Sequence, residues 1–182
     1  MAKIITVKEA AELVQDGAVI GSAVQGMTGW PEEIGLAIEN RFMETGHPSG
    51  ITHIHGAGQG DFGRMSEDGK TCRGECALAH DGLLSCSIHG HVGCSFKVTK
   101  QIVDNKILAY NIPLGVVGRF GGRWDGLSRA SDKGGTGTFM DRDTTAMINE
   151  KTKKEGKQIV TYIPDFLGEE YLFYTLPKLT VA

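Results

Sequence analysis

Apolar and polar positions fall into short blocks along the first third of the chain, each with a readable period. Thr6-Val7-Lys8-Glu9 has the spacing of a capping box, with a hydroxyl three residues ahead of a carboxylate. Ala10, Ala11, Leu13 and Val14 follow, so a short helix is expected to run to about Gln15. Asp16-Gly17 reads as a turn, and the run from Ala18 to Val24 as a buried strand. A loop holding Gly26 and Gly29 then leads to Pro31, suited to a first helical position because it has no N–H to leave unpaired. Glu32 and Glu33 favour the positive end of that helix. Ile34, Ile38 and Phe42, with Leu36 and Ala37, give it an apolar stripe until Gly46-His47-Pro48 stops it.

The pattern then recurs. Ile51 to His55 is a strand candidate entering a glycine-rich loop. Phe96 to Asp104 reads as a helix, Ile107 to Asn111 as a strand, and Pro113 opens another helix. Lys157 to Ile163 and Tyr171 to Leu176 are late strand candidates. The charged, weakly patterned segment from Asp141 to Gly156 is expected to be a surface excursion. Strands alternating with helices imply right-handed crossovers, hence an α/β fold with a mostly parallel open sheet and flanking helices. The length fits one domain over residues 1–182. The apolar run Leu179-Thr180-Val181-Ala182 reads like a cut through an element.

Composition narrows the function classes. Nineteen Lys and Arg against 22 Asp and Glu give a net charge of -3, so no basic excess exists for a nucleic acid to bind. No apolar run approaches the ~18 residues of a membrane span. The start of the chain turns polar at once, which predicts no secretory signal and a cytoplasmic location. Cys72, Cys76, Cys86 and Cys94 are therefore expected as reduced thiols. Glycine, at 26 residues, is about twice its usual ~7 % share. Dispersed among apolar segments, it marks tight turns and close backbone approach.

Four groups of residues carry candidate chemistry. Ala23, Val24, Gln25 and Gly26 follow a buried strand and precede a helix, the place where open α/β sheets bind ligands and where backbone N–H groups stabilise oxyanions or phosphates. The spacing is neither G-x-G-x-x-G nor a Walker loop, and a plain strand-to-helix turn would use glycine in the same way. Gly135, Thr136, Gly137 and Thr138 form a second glycine and hydroxyl loop, either lining the same cleft or serving only as a turn. Cys72, Cys76 and His80 would share one helix face, followed by Cys86, His89, His91 and Cys94, and thiolate with imidazole suits Zn²⁺. The spacings match no knuckle or ribbon, so no metal is expected. Finally, His53/His55 and His89/His91 are His-x-His pairs near strand ends, where i and i+2 share a face. One hydrogen-bonded histidine per pair is the plain expectation. Trp30 and Trp124 are read as packing residues.

Taken in order, these segments resemble the first half of a family I coenzyme A transferase, nearest the propionate and 3-oxoacid branch. Gly26-Met27-Thr28-Gly29-Trp30-Pro31-Glu32 resembles the F-G-x-x-G-x-P-E loop, and Ala79-His80-Asp81-Gly82-Leu83 resembles A-H-E-G-L. Ile102 to Ile107, with Ala109-Tyr110-Asn111-Ile112-Pro113, resembles I-V-D-N-K-I-x-A-Y-N-x-P. Gly135-Thr136-Gly137-Thr138-Phe139-Met140-Asp141 resembles G-x-G-T-F-x-D. The resemblance covers nearly the whole chain. It implies that CoA moves from an acyl-CoA to a short-chain carboxylate through a glutamyl-CoA thioester. The nucleophilic glutamate would lie in a second half, on the same precursor or on a separate β subunit. Residues 23–26, with 135–138, would form the oxyanion and substrate-binding site, and this half would supply part of the acyl pocket, with the CoA thioester as substrate, no bound cofactor and an oligomeric assembly. Two departures stand out. The family's small-Gly-Phe before the loop is Ala23-Val24-Gln25 here, and no catalytic glutamate motif occurs. A free-standing α/β protein binding an acyl or phosphate ligand, or a metal-dependent hydrolase resting on the Cys/His cluster, are the competing expectations.

Overall fold

The opening helix forms where its cap is encoded. In the computed structural model, which describes residues 3–22, 28–60, 64, 67, 73–121, 129–138, 140–141 and 146–181, α1 spans Val7–Glu12. Thr6 Oγ1 accepts from the Glu9 amide at 3.2 Å, and Glu9 Oε2 accepts from the Thr6 amide at 2.8 Å, closing the capping box. The strand β1 covers Val19–Ser22, and α2 covers Glu32–Thr45. Pro31 stands one position outside that helix, as its cap residue, rather than at the first helical position. Gly46 ends α2 in the left-handed region, at a φ of 75°. Arg41 of α2 donates to the carbonyls of Ala11 and Val14 at 2.8 and 2.7 Å, fastening α2 to the end of α1 and the residues after it.

Three further parallel strands complete the main sheet. They are β2 (Ile51–Ala57), β3 (Leu84–His91) and β4 (Leu108–Asn111), in the order β1-β2-β3-β4. The mostly parallel sheet is therefore as expected. Strand β3, which the hydrophobic pattern did not single out, is one of its two inner strands and is buried over most of its length. Helices α1, α2 and α3 (Phe96–Val103), with a 3₁₀ turn at Gly74–Leu78, contribute the core on one face, around Ile38, Ile51, Leu78, Leu83, Val98 and Ile107.

The other face packs against a second, smaller sheet. Strands β5 (Arg129–Asp132), β6 (Val160–Phe166) and β7 (Glu169–Thr175) pair antiparallel in the order β5-β7-β6. The two late strands expected from the pattern thus form a hairpin of their own instead of extending the parallel sheet. Leu167 and Gly168, both at positive φ (58° and 82°), make its two-residue turn. Ile54, Ile88, Tyr110, Ile112, Val116, Leu172 and Tyr174 fill the core between the sheets, together with α4 (Leu114–Gly121). The segment expected as a surface excursion contains α5, Glu150–Glu155. Asn149 caps it by accepting from the Thr152 amide at 3.0 Å, and Thr152 itself is buried.

Both outer strands have further chain along their edges. The Ala109 amide of β4 donates to Thr152 Oγ1 at 2.6 Å, and Tyr110 bridges Met147. Along β1, Ile20 bridges Val181 in parallel, and the Thr180 amide donates to the Val19 carbonyl at 2.9 Å. No helix among the described residues is long and apolar enough to cross a membrane.

Candidate functional site

The parallel register lines up polar side chains at the carboxyl end of the main sheet. Ser22, His55, His89 and Asn111 are paired across the four strands, and one row earlier His53 pairs with Ser87. Because side chains alternate faces, these residues share one face, while Ile54, Cys86, Ile88 and Tyr110 point to the core between the sheets. His53, His55, Ser87 and His89 are all fully buried. Buried polar groups at this density need partners, and most have them.

Glu75 supplies the counter-charge. It sits on the 3₁₀ turn, completely buried, and is brought to the histidines by a close backbone contact. A Cβ on Gly60 would lie 2.2 Å from the Gly74 Cα, so only glycine allows the two segments to meet there. The Glu75 amide donates to the Gln59 carbonyl at 3.0 Å, and the Gln59 amide donates to Glu75 Oε2 at 3.1 Å. Ser95 Oγ donates to the same carboxylate oxygen at 2.6 Å. Glu32, at the start of α2, accepts from the Gly74 amide at 3.1 Å and ties this turn to the helix that follows residues 23–26.

The imidazoles stack. His53 and His55 lie with ring centroids 4.5 Å apart at 17°, and His55 and His89 at 5.5 Å and 32°. Trp30 packs its edge on His53, the packing role expected of it; Trp124 lies outside the described residues. His55 Nε2 is 2.9 Å and His53 Nδ1 3.4 Å from Glu75 Oε1. Neither approach has hydrogen-bond alignment, and both Glu75 Oε1 and His53 Nδ1 lack a hydrogen-bond partner. Burial disfavours an imidazolium at His55, but the Glu75 carboxylate outweighs it and raises the pKa above the ordinary histidine value. Burial likewise works against the Glu75 carboxylate, yet the charge on His55 brings its pKa well below the usual range. Burial and then repulsion from His55 lower His53, and the same two causes push His89 down to about 3.

The sequence expectations meet this geometry unevenly. Ala23, Val24, Gln25 and Gly26 lie outside the described residues. They follow directly on Ser22, whose Oγ donates to Gln59 Oε1 and lies 2.7 Å from His53 Nε2. Gly135, Thr136, Gly137 and Thr138 form a turn against Pro113, Leu172 and Tyr174, with Gly135 and Gly137 at positive φ. The amides of Thr136, Gly137 and Thr138 donate to Lys133, Asp141 and Gly135 within that turn, and the Thr136 hydroxyl is buried without a partner. The Cys/His set does not converge. Cys72 is outside the described residues, and Cys76 is on a 3₁₀ turn rather than an α-helical face. His80 bonds Glu39 at 2.6 Å, His91 is exposed, and Cys86 faces the other core, where burial pushes its thiol up to about 12. Among the described residues, the group whose donor atoms could share an ion is instead His53, His55 and Glu75, all within 4.8 Å of one another. One histidine per pair is correct for His89/His91 and wrong for His53/His55, both of which point inward. Glu75, Ser22, Gln59 and Ser95 were missed. The only advance signal was the period of two in His-x-His, which puts both rings on one face.

No protein-family profile matches the chain. Among characterised proteins, caffeate CoA-transferase of Acetobacterium woodii is 35% identical over 187 residues, covering 100% of this chain and 33% of the relative. Acetate CoA-transferase YdiF of Escherichia coli K12 is 30% identical over 179 residues, covering 94% and 30%. Two crystal structures of YdiF from E. coli O157:H7 share the fold. They are a thioester complex with CoA, at a TM-score of 0.79 and 26% identity, and the apoenzyme, at 0.77 and 26%. They cover 95% and 96% of this chain, which spans about a third of each of them. In sequence and in fold, the chain is thus a relative of the CoA-transferases, matched over about a third of their length.

Proposed function

We propose that the chain forms the oxyanion-hole and acyl-pocket half of a CoA-transferase that moves CoA between an acyl-CoA and a short-chain carboxylate. Residues 1–182 belong to its first-half domain, and the nucleophilic glutamate comes from a second half on the same precursor or on a separate subunit. That glutamate attacks the thioester carbonyl, and CoA thiolate leaves as an acyl–glutamyl anhydride forms. The thiolate then attacks the glutamyl carbonyl, releasing the first carboxylate and leaving a glutamyl-CoA thioester. The acceptor carboxylate reverses these steps, so no resident cofactor is required. Each addition puts negative charge on a carbonyl oxygen, which backbone N–H groups of Ala23, Val24, Gln25 and Gly26 stabilise. Gly135, Thr136, Gly137 and Thr138 contribute a wall of the acyl pocket rather than donors, because the amides of 136–138 are bonded within their own turn. The working assembly is a cytoplasmic oligomer.

The observation that carries this reading is a match to CoA-transferases along the whole chain, 35% identical to one of them and similar in fold to a CoA thioester complex of another. The end of β1 at Ser22, the residue before this segment in the sequence, supports it, because it lies at the carboxyl edge of a parallel sheet, where such folds bind ligands. The test is acetate-dependent CoA transfer from an acyl-CoA. The chain alone is expected to show no turnover, and adding a separately produced second half should restore it. In the restored enzyme Val24→Pro removes one N–H and should lower turnover by ~10²–10³. Robust turnover by the chain alone, or an unchanged rate in a folded Val24→Pro enzyme, overturns the assignment.

A further inference from the structure

The buried histidines and Glu75 pose a question that acyl transfer does not answer, namely which positive charge their lone pairs surround. The tautomers follow from the hydrogen-bond partners. His55 Nδ1 lies 3.1 Å from the Ala57 carbonyl, which can only accept, so Nδ1 carries a proton, and Nε2, 3.2 Å from Ser87 Oγ, presents a lone pair when the ring is neutral. Ser22 Oγ gives its one proton to Gln59 Oε1 and so accepts from His53 Nε2–H, leaving a lone pair on His53 Nδ1. Glu75 Oε2 is occupied by the Ser95 hydroxyl and the Gln59 amide, and Oε1 lies 3.4 Å from His53 Nδ1 and 2.9 Å from His55 Nε2. Three donor atoms therefore lie within 4.8 Å of one another where no water competes; His53 Nδ1 and Glu75 Oε1 lack a hydrogen-bond partner, and the third, His55 Nε2, shares the Ser87 hydroxyl at 3.2 Å.

Three parts of that arrangement match a metal centre: the oxygen-to-nitrogen spacings, the second-nitrogen bonds and the anchored carboxylate. Ligand atoms at ~2.0–2.1 Å from a tetrahedral Zn²⁺ stand roughly 3.3 Å apart, and the observed separations from Glu75 Oε1 are 2.9 and 3.4 Å. Ligating histidines usually donate their second N–H to a carbonyl or another acceptor, as His55 does to Ala57 and His53 to Ser22. Ligating carboxylates are held through their other oxygen, as Glu75 is. Two imidazoles and a carboxylate, without thiolate, suit borderline divalent ions such as Zn²⁺ or Co²⁺ better than Ca²⁺ or Mg²⁺. We propose that the chain binds one divalent transition-metal ion of the Zn²⁺ class through His53 Nδ1, His55 Nε2 and Glu75 Oε1. Such an ion fastens β2 to the 3₁₀ turn and, through Ser22, fixes the end of β1 directly before residues 23–26. This departs from the sequence expectation that the chain holds no metal.

The test needs no transferase activity. The whole chain, made without a polyhistidine tag and dialysed against metal-free buffer, is assayed for elemental content and then titrated with Co²⁺. About one equivalent of metal per chain is expected, together with cobalt d–d bands that saturate at about one equivalent. His53→Gln and Glu75→Gln should abolish both signals, whereas His80→Gln, at a histidine bonded to Glu39, should retain them. A folded wild-type chain with less than ~0.1 equivalent and no cobalt bands overturns the proposal, because a proton on His55 then supplies the charge. Full retention of metal in Glu75→Gln overturns it as well. If the variants fail to fold, the wild-type titration decides alone.

Discussion

Asp16 shows how one exposed carboxylate joins distant parts of the chain. Its Oδ1 accepts from the Ser49 amide at 2.7 Å, and its Oδ2 lies 2.8 Å from His47 Nδ1. The bond to His47, and then that to Ser49, holds its carboxyl below the ordinary value of 3.8. A carboxyl with a lower pKa in the folded state contributes stability above its unfolded value and loses it as pH falls through the folded one. Asp16→Asn should therefore unfold at lower urea than the native chain at pH 7, and the gap should close in acid below 3.8. Parallel urea midpoints at the two pH values check this. A gap of constant size would show that the carboxylate's charge contributes nothing. Glycine gives a second contrast at this scale. Gly17, at a φ of 69°, has open space around its missing side chain, so Gly17→Ala meets only left-handed strain, about 1–2 kcal/mol. Gly60, at 85°, would also drive its Cβ into the Gly74 backbone, so Gly60→Ala should destabilise by several kcal/mol and displace Glu75. Equal urea midpoints for the two variants would show that the 3₁₀ turn is free to move.

Among the elements, β4 depends on a helix that its own pattern does not announce. The Ala109 amide is buried and finds its acceptor in Thr152 Oγ1, on α5, 43 residues away. Replacing that hydroxyl with a methyl in Thr152→Val keeps the volume and strands a buried donor, which should cost about 1–3 kcal/mol. Amide exchange at Ala109 should rise with it, and unchanged exchange would mean that another acceptor takes over. The same example marks the limit of reading this chain by pattern. Capped and stopped elements were legible because their signals are local, namely Thr6 with Glu9, Gly46 after α2, and Pro113 before α4. Strand β3 was not, because on one of its two buried faces the positions are Ser87 and His89, polar residues that become interior only when Glu75 and His55 meet them. The hairpin of β6 and β7 was hidden by a Leu167-Gly168 turn in place of Asn-Gly or Asp-Gly. Strand β5 is too short to show a period, and α5 hides in a charged run whose one buried side chain is Thr152. Of the site, the sequence exposed the histidine pairs and their shared face. It concealed Glu75, whose approach depends on two glycines 14 positions apart, Gly60 and Gly74.

For the whole molecule, the proposed role has a consequence for association that is separate from turnover. The chain spans about a third of the CoA-transferases it matches, so the surface that meets the rest of such an enzyme is, on this proposal, bare in the chain alone. Large apolar side chains are already exposed, with Ile4 at 98%, Leu167 at 90% and Val103 at 71% of their full area. Scattered exposed apolar groups are ordinary, but a surface shaped to be covered draws any partner at hand, including a second copy. Light scattering on the purified chain should therefore give a mass above the 19.6 kDa of one copy, rising with concentration. Adding the second half should replace that distribution with a single species of defined stoichiometry, at the same ratio of components that restores transfer. Concentration and stoichiometry together make this a strict requirement, since non-specific stickiness raises the first without fixing the second. A chain that stays at one copy across the accessible concentrations and ignores the second half would remove the half-enzyme reading, while leaving the His53, His55 and Glu75 centre to be judged by its own metal content.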